Sequence, residues 1–452
     1  MTAFEPGVRV HVVGVGGAGM SGLARLLVES GALVSGSDLA DSAMLDELRT
    51  FGVSVALGHD SSNVTDAQIV LWSPAVKSDN VELIAAREGG AELMSRAQVL
   101  AELARVRPVV GLTGTHGKTT ATSMMVHVMR AAGRDAGRLL GADVIGVGSN
   151  GHWGVGDVVV EIDESYGTFA LVRPHALGLL NVESDHLDHY GTLASLESAF
   201  AQLIDRTSGP VVIWSDDAGA QRVANMAPRE VVRVGTRDAE WRVSDVTVSR
   251  HDAHFTLHGP GVEVRLALNV TGEHNVADAA VVAVLAAQLN VSFEAITSGL
   301  ASFQGAPRRF ELLGSWRGVD VYESYAHLPG EIAAILRATR AAGYERITAV
   351  FQPHRVTRTI ALAEDFAPSF DLATSVIVTD IYSAGEPNPT GVTGEVIAEA
   401  IGRRGAGTTT TYCASSDDVP DVLETVHDGS DVVVLLGAGD VATIAKKLRG
   451  MN

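Results

Sequence analysis

Short apolar segments alternate with glycine turns and with stretches of helical spacing along most of the chain. Apolar residues at 8–13 predict a strand, and the spacing at 18–27 predicts a helix after the turn. The same succession recurs at 109–112 with 121–129, and a further apolar strand is predicted at 432–436. Repeated strand–turn–helix units are typical of parallel sheets that carry helices on both faces. The predicted fold class is α/β.

The length of 452 residues predicts about three domains. We expect a Rossmann-like domain at 1–107 and a central α/β domain of the P-loop ATPase type at 108–305. Within the latter, β-branched residues and short turns at 230–270 predict an antiparallel portion. The third domain, at 306–452, is again expected to be Rossmann-like.

Composition excludes several classes of protein. The formal charge of −20 argues against nonspecific binding to nucleic acids or anionic membranes. The single cysteine, Cys413, excludes an intrachain disulfide and a cysteine-based zinc site. The longest apolar run, 279–287, is too short to span a bilayer, and the N-terminus has no signal-peptide pattern. We expect a cytoplasmic protein without membrane insertion.

The segment 111–120 lies between a predicted strand and a predicted helix and ends in Gly117-Lys118-Thr119-Thr120. N–H groups of such a turn bind phosphate oxygens, the lysine reaches the terminal phosphates, and the first threonine hydroxyl binds Mg²⁺. Leu112 stands where the strict pattern has glycine, so the loop is a variant, and a turn without a ligand is the alternative. We predict an ATP site at Gly114, Thr115, His116, Gly117, Lys118, Thr119 and Thr120.

A second glycine loop follows the first strand and fits the pattern G-x-G-x-x-G. Its members Gly14, Gly16, Gly17 and Gly19 predict binding of a dinucleotide or of another diphosphate ligand. Asp38 stands near the end of the next predicted strand, where it could accept a hydrogen bond from a ribose or a base. A loop acid without contact to a ligand is the alternative.

Acidic and amide residues follow the central strands. Glu161, Asp163 and Glu164 would repel nearby phosphates unless a cation such as Mg²⁺ neutralised them, and a solvated acidic turn is the alternative. His186 could bind a second divalent ion or orient a carboxylate. Asn275 opens a helix, as a cap or as an amide that binds adenine.

Two groups of cationic residues stand in the third predicted domain. Arg308 and Arg309, at the boundary, present guanidinium groups suited to phosphate. His354, Arg355 and Arg358 follow a predicted strand and could bind a small carboxylate. A solvated basic turn is the competing interpretation of the second group.

Taken together, these motifs resemble the Mur ligase family, and within it the branch that adds L-alanine. The resemblance covers essentially the whole chain, and the motifs occur in family order. They are the glycine loop at 14–22, the phosphate loop at 113–120, Asn181-Val182-Glu183 with 185–188, 351–355, Tyr382 with 384–386, and 437–440.

The resemblance implies an enzyme that uses ATP and Mg²⁺ to join L-alanine to UDP-N-acetylmuramate through an acyl phosphate. It implies that the N-terminal domain binds the UDP-sugar through the first glycine loop, and that the C-terminal domain helps to bind the amino acid. Thr119, Glu164 and His186 would then bind Mg²⁺, and Asn275 the adenine. Arg308 or Arg309 would contact phosphate, and the alanine side would comprise His327, His354, Arg355 and Arg358.

The chain departs from the family pattern at Tyr166, Asp278, Ser324 and Leu328. These departures leave open a ligase that uses another amino acid or a peptide. They also leave open a divergent nucleotide-binding regulator with little or no turnover. A dinucleotide-dependent oxidoreductase is the alternative from another class, and the second phosphate loop argues against it.

Overall fold

This computed structural model describes residues 2–73, 76–164, 167–185, 187–405, 407–426 and 429–450, without the side chains of residues 187, 188, 449 and 450. The predicted metal ligand His186 and the departure at Tyr166 lie outside the described residues. The α/β fold class is confirmed, because helices alternate with the strands of three sheets. The chain divides into two compact units, Met1–Thr247 with Ala253–Asn269 and His274–Gln304, and Val248–Asp252 with Val270–Glu273 and Gly305–Asn452.

The N-terminal sheet is parallel, with the strand order β3-β2-β1-β4-β5. Its elements are β1 (Arg9–Val13), α1 (Ala18–Glu29), β2 (Leu33–Asp38), α2 (Ala43–Phe51), β3 (Ser54–Leu57), β4 (Ile69–Trp72), α3 (Val81–Gly89), β5 (Glu92–Ser95) and α4 (Arg96–Val106). The strand order reverses beside β1, and open sheets of this kind bind ligands at that point, outside the carboxyl ends of the strands. The first glycine loop lies there.

The central sheet has the strand order β15-β14-β13-β12-β11-β10-β6-β9-β7-β8. Its strands are β6 (Val109–Thr113), β7 (Gly137–Leu139), β8 (Gly151–His152), β9 (Val158–Glu161), β10 (Ala176–Leu179), β11 (Val211–Trp214), β12 (Val232–Gly235), β13 (Trp241–Val248), β14 (Ala253–Gly259) and β15 (Val262–Leu268). The helices of this region are α5 (Lys118–Ala131), α6 (Thr168–Leu171), α7 (Leu187–Tyr190), α8 (Leu193–Arg206), α9 (Ala218–Met226), α10 (Glu273–Gln288) and α11 (Phe293–Ser302).

The predicted antiparallel portion is confirmed for β14 and β15, which pair antiparallel. It is wrong for β12, which pairs parallel with both β11 and β13. For the pairing with β11, the reason is the connection: α9 crosses over between β11 and β12, and a helical crossover returns the chain in the same direction. β14 and β15 are joined by a tight turn and form a hairpin.

The strands that end at the phosphate loop form the middle of the central core. Every residue of β6, β9 and β10 is buried, and α5 is buried from Thr119 to Met129. Apolar, β-branched strands of this kind fit a position between two helical layers. A rigid core therefore lies directly behind the loop.

The second compact unit contains a six-stranded sheet of order β16-β17-β21-β18-β19-β20, antiparallel only between β16 and β17 among the pairs described. Its elements are β16 (Arg309–Trp316), β17 (Val319–Ser324), α12 (Pro329–Ala341), β18 (Ile347–Phe351), α13 (Val356–Phe366), β19 (Ser375–Thr379), α14 (Glu395–Arg404), β20 (Thr409–Cys413), α15 (Val419–Val426), β21 (Val432–Leu436) and α16 (Ala442–Gly450). Across the described parts of both units, no helix has the length and apolar character needed to cross a membrane.

Candidate active site

Backbone geometry explains two glycines of the predicted ATP loop. Gly114 has a φ of +146°, and Gly117, which caps α5, has a φ of +83°. A Cβ on Gly114 would lie 3.0 Å from the carbonyl oxygen of Asn181, and one on Gly117 would lie 2.6 Å from a carboxyl oxygen of Asp278. The loop is therefore closely packed, and side chains are excluded from the surface that faces these neighbours.

Asn181, just after β10, holds the loop in shape. Its Oδ1 accepts a hydrogen bond from the N–H of His116 at 2.7 Å, and its Nδ2 donates to the carbonyl oxygen of His116 at 3.1 Å. Its backbone carbonyl accepts from the N–H of Thr115, also at 3.1 Å. The Thr115 hydroxyl in turn accepts from the N–H of Glu183 at 2.9 Å. These bonds keep the loop conformation fixed before any nucleotide binds.

Lys118 is the first residue of α5 and forms an ion pair with Glu164. Its Nζ lies 2.7 and 3.0 Å from the two carboxylate oxygens of Glu164, whose side chain is 1% exposed. The same Nζ donates to the carbonyl oxygens of Gly114 and Thr115. Burial raises the pKa of Glu164, and the ammonium group of Lys118 acts in the opposite direction. The lysine is thus held over the loop by groups that a triphosphate could replace.

A second carboxylate lies at the start of α5. The Thr119 hydroxyl donates to Oε2 of Glu161 at 3.0 Å, and the N–H of Gly141 donates to the same oxygen at 3.0 Å. A hydroxyl and carboxylates are the hard oxygen ligands that Mg²⁺ prefers. Among the described residues, no group of three or more His, Cys, Asp or Glu side chains is arranged to hold a metal ion. A Mg²⁺ ion here would therefore take further oxygens from phosphate and water.

Two polar residues near the start of α10 are buried. Asn275 is 7% exposed and Asp278, one turn later, is 5% exposed. The Asp278 carboxyl packs against Gly117, and burial raises its pKa well above the usual value. The low-dielectric surroundings favour the neutral carboxylic acid. This departure from the family pattern therefore adds less negative charge beside the phosphates than the sequence suggests.

The first glycine loop follows β1, and its N–H groups are largely used within the N-terminal sheet. The N–H groups of Gly14 and Val15 donate to the carbonyl oxygen of Ser37. Oδ2 of Asp38 accepts from the N–H of Gly16 at 2.9 Å, and Oδ1 accepts from the N–H of Leu39 at 2.8 Å. The Asp38 carboxylate thus fixes the loop, and its contact with a ribose or base stays a prediction.

A cavity of about 960 Å³ opens between the first glycine loop and the acidic end of β9. Gly14, Gly16, Gly17, Gly19 and Asp38 line one part of it. Glu161 and Asp163, beside the phosphate loop, line another part, together with Gly141. A ligand bound by the first loop can therefore extend to the carboxylate that contacts Thr119.

In the second compact unit, Arg308 and Arg309 have different surroundings. Nε of Arg308 donates to Oε1 of Glu323 at 2.7 Å, and its Nη2 donates to the carbonyl oxygens of Gly437 and Gly439. The side chain of Arg309 is exposed, and its guanidinium lies 5.8 Å from the ring centre of Tyr325. The guanidinium of Arg308 is thus occupied by contacts within the second unit, whereas the exposed guanidinium of Arg309 is more accessible to a ligand.

The predicted amino-acid side forms one cluster in the second unit. His354 stacks on Tyr382 with ring centres 5.6 Å apart, and His327 lies 5.6 Å from His354. Nη1 of Arg358 lies 3.3 Å from Nδ1 of His354. Burial, with help from nearby cations, lowers the pKa of His354 to about 4, and burial also lowers that of His327.

Arg355 completes this cluster as the residue that precedes α13, with a φ of +72°. Its side chain is 54% exposed, and its guanidinium lies 3.9 Å from Glu386. Two guanidinium groups and two neutral imidazoles are thus brought together, which is a set suited to a small carboxylate.

Comparison with known families accounts for most of the chain. The model of the Mur ligase family catalytic domain matches residues 9–107, that of the Mur ligase middle domain matches 112–286, and that of the Mur ligase glutamate ligase domain matches 308–439. The chain belongs to the Mur ligase family.

Relatives in this family resemble the chain from end to end. A UDP-N-acetylmuramate–L-alanine ligase from Thermobifida fusca is 41% identical over 97% of this chain and 96% of its own length. The protein of the same name from Burkholderia ambifaria is 38% identical over 97% of both chains. The crystal structure of a UDP-N-acetylmuramate-alanine ligase from Thermotoga maritima superimposes with a TM-score of 0.83, at 27% identity and 98% coverage of both chains.

Mur ligases use ATP, which agrees with the phosphate loop as the nucleotide site. Sequence reasoning missed three residues that shape this region of the Mur ligase: Asn181, Tyr190 and Arg96. Asn181 appeared only within a motif, although its position after an apolar strand indicated a role at the sheet edge. The Tyr190 hydroxyl donates to the backbone carbonyl of Glu164, and burial raises its pKa to about 12. Arg96 lines the cavity, and no local pattern marked it.

Proposed function

We propose that this Mur ligase joins L-alanine to UDP-N-acetylmuramate and converts ATP to ADP and phosphate. The relatives with this name at 38–41% identity over nearly the full length support the proposal. We assign the UDP-sugar to residues 1–107, ATP to 108–305 and the amino-acid side to 306–452. We expect the reaction to occur in the cytoplasm, where ATP is available.

The observation that carries the proposal is the shared cavity. One wall is the first glycine loop, suited to a diphosphate, and another wall includes Glu161, which contacts Thr119 at the phosphate loop. A UDP-sugar bound at Gly14–Gly19 would extend its carboxylate toward the γ-phosphate of ATP. An oxidoreductase would have no use for a triphosphate site at the other end of its cofactor cavity.

In the first step, a carboxylate oxygen of the lactoyl group attacks the γ-phosphorus of ATP. The bond to the β-phosphate oxygen breaks, ADP leaves, and an acyl phosphate forms. Phosphoryl transfer needs positioning and charge stabilisation rather than covalent help from the protein. Lys118 would leave its pair with Glu164 to stabilise the transferring phosphoryl group.

In the second step, the amine of L-alanine attacks the acyl carbon after losing a proton, and phosphate leaves from the tetrahedral intermediate. Arg355 and Arg358 would bind the alanine carboxylate, with His327 and His354 beside them. Because burial lowers the pKa of both histidines, they contribute hydrogen bonds without additional positive charge near pH 7. Arg309 would contact phosphate in preference to Arg308.

Mg²⁺ would neutralise part of the triphosphate charge when bound. The chain offers the Thr119 hydroxyl and the carboxylates of Glu164 and Glu161 as oxygen ligands, and these fit the ion. His186 stays a predicted ligand. Asn275 would hold the adenine from the first turn of α10.

A phosphate-release assay tests the proposal. The purified protein is incubated with ATP, Mg²⁺ and UDP-N-acetylmuramate, and L-alanine is compared with other amino acids and with an alanyl peptide. We expect release to depend on both the UDP-sugar and L-alanine, with formation of the UDP-N-acetylmuramoyl-L-alanine product. Release with the peptide but not with L-alanine would favour a peptide ligase, and no release with any nucleophile would favour a regulator.

A further inference from the structure

The cavity at the first glycine loop is acidic, which is unfavourable for a diphosphate. The carboxylates on its wall are Asp38, Asp41, Asp79, Glu161 and Asp163. Among the described lining residues, the permanently cationic side chains are Lys77, which is exposed, and Arg96. A ligand with two phosphate charges therefore needs a specific cation.

The backbone of the loop supplies fewer donors than its sequence suggests. The N–H groups of Gly14 and Val15 donate to Ser37, that of Gly16 to the Asp38 carboxylate, and that of Gly17 to the carbonyl oxygen of Gly14 at 3.2 Å. The N–H groups of Ala18 and Gly19 in the first turn of α1 precede the hydrogen-bond ladder of the helix. They are the donors that remain for an anion.

Arg96 lies against this remaining pair of donors. It is the first residue of α4, directly after β5, and so stands at the carboxyl edge of the sheet with the glycine loop. Its Nε and Cζ lie 3.0 and 3.3 Å from the place where a Cβ on Gly19 would be. Because Gly19 has no side chain, the guanidinium can lie directly on the first turn of α1.

The Nε–H group of Arg96 is buried and has no hydrogen-bond partner among the described residues. A buried guanidinium N–H without an acceptor is unfavourable, so its place beside a cavity indicates an acceptor that the ligand brings. The charge of Arg96 is permanent, and its planar fork matches phosphate oxygens.

We propose that Arg96 binds the diphosphate of the UDP-sugar, together with the N–H groups of Ala18 and Gly19; this rests on the proposed function, which supplies the diphosphate. The guanidinium supplies the hydrogen-bond donors that the N–H groups of Gly14 to Gly17 cannot offer, because those groups already donate within the protein. It discriminates nucleoside diphosphates from the uncharged nucleoside.

Calorimetric titration of the full chain with UDP and with uridine, in the absence of ATP, tests this role. Loss of a charge-assisted phosphate contact in Arg96→Ala should weaken UDP binding about 10- to 100-fold. Uridine affinity should stay within about threefold, because the nucleoside carries no phosphate. Arg96→Lys, which keeps the charge but not the fork, should fall between these limits. The matched control is Arg105→Ala, an exposed arginine on the same helix, which should bind UDP as the wild type does.

Gly19→Ala provides a second, independent variant. The new Cβ would lie 3.0 Å from Nε of Arg96, so the guanidinium would have to shift, and UDP binding should weaken while uridine binding is kept. A thermal unfolding scan shows whether Arg96→Ala folds. If it does not, Gly19→Ala tests the role of Arg96 in its place.

The proposal is overturned if Arg96→Ala binds UDP within twofold of the wild type, or if it loses uridine affinity to the same extent as UDP affinity. Failure of the proposed function has a different signature. In that case, the wild type releases no phosphate with UDP-N-acetylmuramate and L-alanine, while the comparison of UDP with uridine still reports on Arg96. Wild-type protein that binds UDP no more tightly than uridine also overturns the proposed role of Arg96, whatever the outcome of the phosphate-release assay.

Discussion

The two glycine loops of the first compact unit follow the same plan and differ in the source of positive charge. Each follows a buried strand, β1 or β6, and leads into a helix. In the second loop, the cation is Lys118, the first residue of that helix. In the first loop, the first turn of α1 has no charged residue, and the nearest guanidinium comes from Arg96 on α4. The cation beside a glycine loop can therefore come from the next residue of the chain or from a distant segment.

The glycines that cap the N-termini of α1 and α5 also differ, in their backbone conformation. Gly117 precedes α5 with a φ of +83°, a left-handed conformation that favours glycine. Gly17 precedes α1 with a φ of −65°, which any residue can adopt. The conformation of the second loop therefore requires glycine at its own cap, whereas the first loop has no such requirement and receives its cation from another helix.

The largest expected effect is that of Lys118→Ala. Removal of the ammonium group that would stabilise the phosphoryl group should lower kcat/KM for phosphate release by about 10²- to 10³-fold. UDP binding at the other loop should stay within about twofold, because Arg96 supplies that charge. The control is Lys446→Ala, an exposed lysine on α16, which should match the wild type. If Lys118→Ala also weakened UDP binding strongly, the two loops would not be independent.

The next effect concerns the two capping glycines. Gly117→Ala should lower the free energy of unfolding by about 2–4 kcal/mol, because alanine is strained at positive φ and its Cβ would meet Asp278. Gly17→Ala should change it by less than about 1 kcal/mol, since its φ is permitted and its nearest neighbour would be 3.4 Å away. Urea unfolding curves of both variants provide the measurement. Equal decreases in the free energy of unfolding of the two variants would show that both loops require glycine at the cap.

The smallest expected effect is the pH dependence contributed by Asp278, the acid packed against the second loop. Burial raises its pKa, so the folded chain holds this proton more tightly than the unfolded chain. The stabilisation is complete below the unfolded-state pKa of about 3.9 and is lost as the pH rises toward the folded-state pKa.

Asp278→Asn should remove this slope, so that the variant gains stability relative to the wild type as the pH rises above the unfolded-state pKa, by a difference on the order of 1 kcal/mol. Urea unfolding at several pH values measures it, with Glu294→Gln, an exposed acid on α11, as the control. If the stability of Asp278→Asn and that of the wild type changed with pH in the same way, the pKa of Asp278 would not be shifted by folding.

The fold was predictable where local pattern and final environment agree. The strands β6, β18 and β21 are buried at every residue and are mostly apolar, so their burial on both faces could be predicted from the sequence. β16 was not predicted, because only two of its eight residues are buried and bulges interrupt its register. β12 was given the wrong direction, because the direction in which this short, partly buried strand pairs with β11 depends on the helical crossover before it rather than on its own residues.

The candidate site likewise contains residues that the sequence predicts and contacts that depend on the tertiary structure. Lys118, Thr119 and the two glycines of positive φ stand within a few residues of one another, and their spacing alone predicts phosphate binding. The pairing of Lys118 with Glu164, 46 residues away, depends on the adjacency of β6 and β9. The different surroundings of Arg308 and Arg309 depend on the carbonyl oxygens that follow β21.

The sequence by itself determined the α/β class, the phosphate loop and the likeness to a family, because spacing over short stretches sets helix, strand and turn. Only the tertiary structure decided that Asp38 holds Gly16, that the Asp278 carboxyl is buried against Gly117, and that Arg96 lies on Gly19. The reason is physical. Hydrogen bonds, desolvation and charge depend on distances in space, and parallel sheets bring together residues that are far apart along the chain.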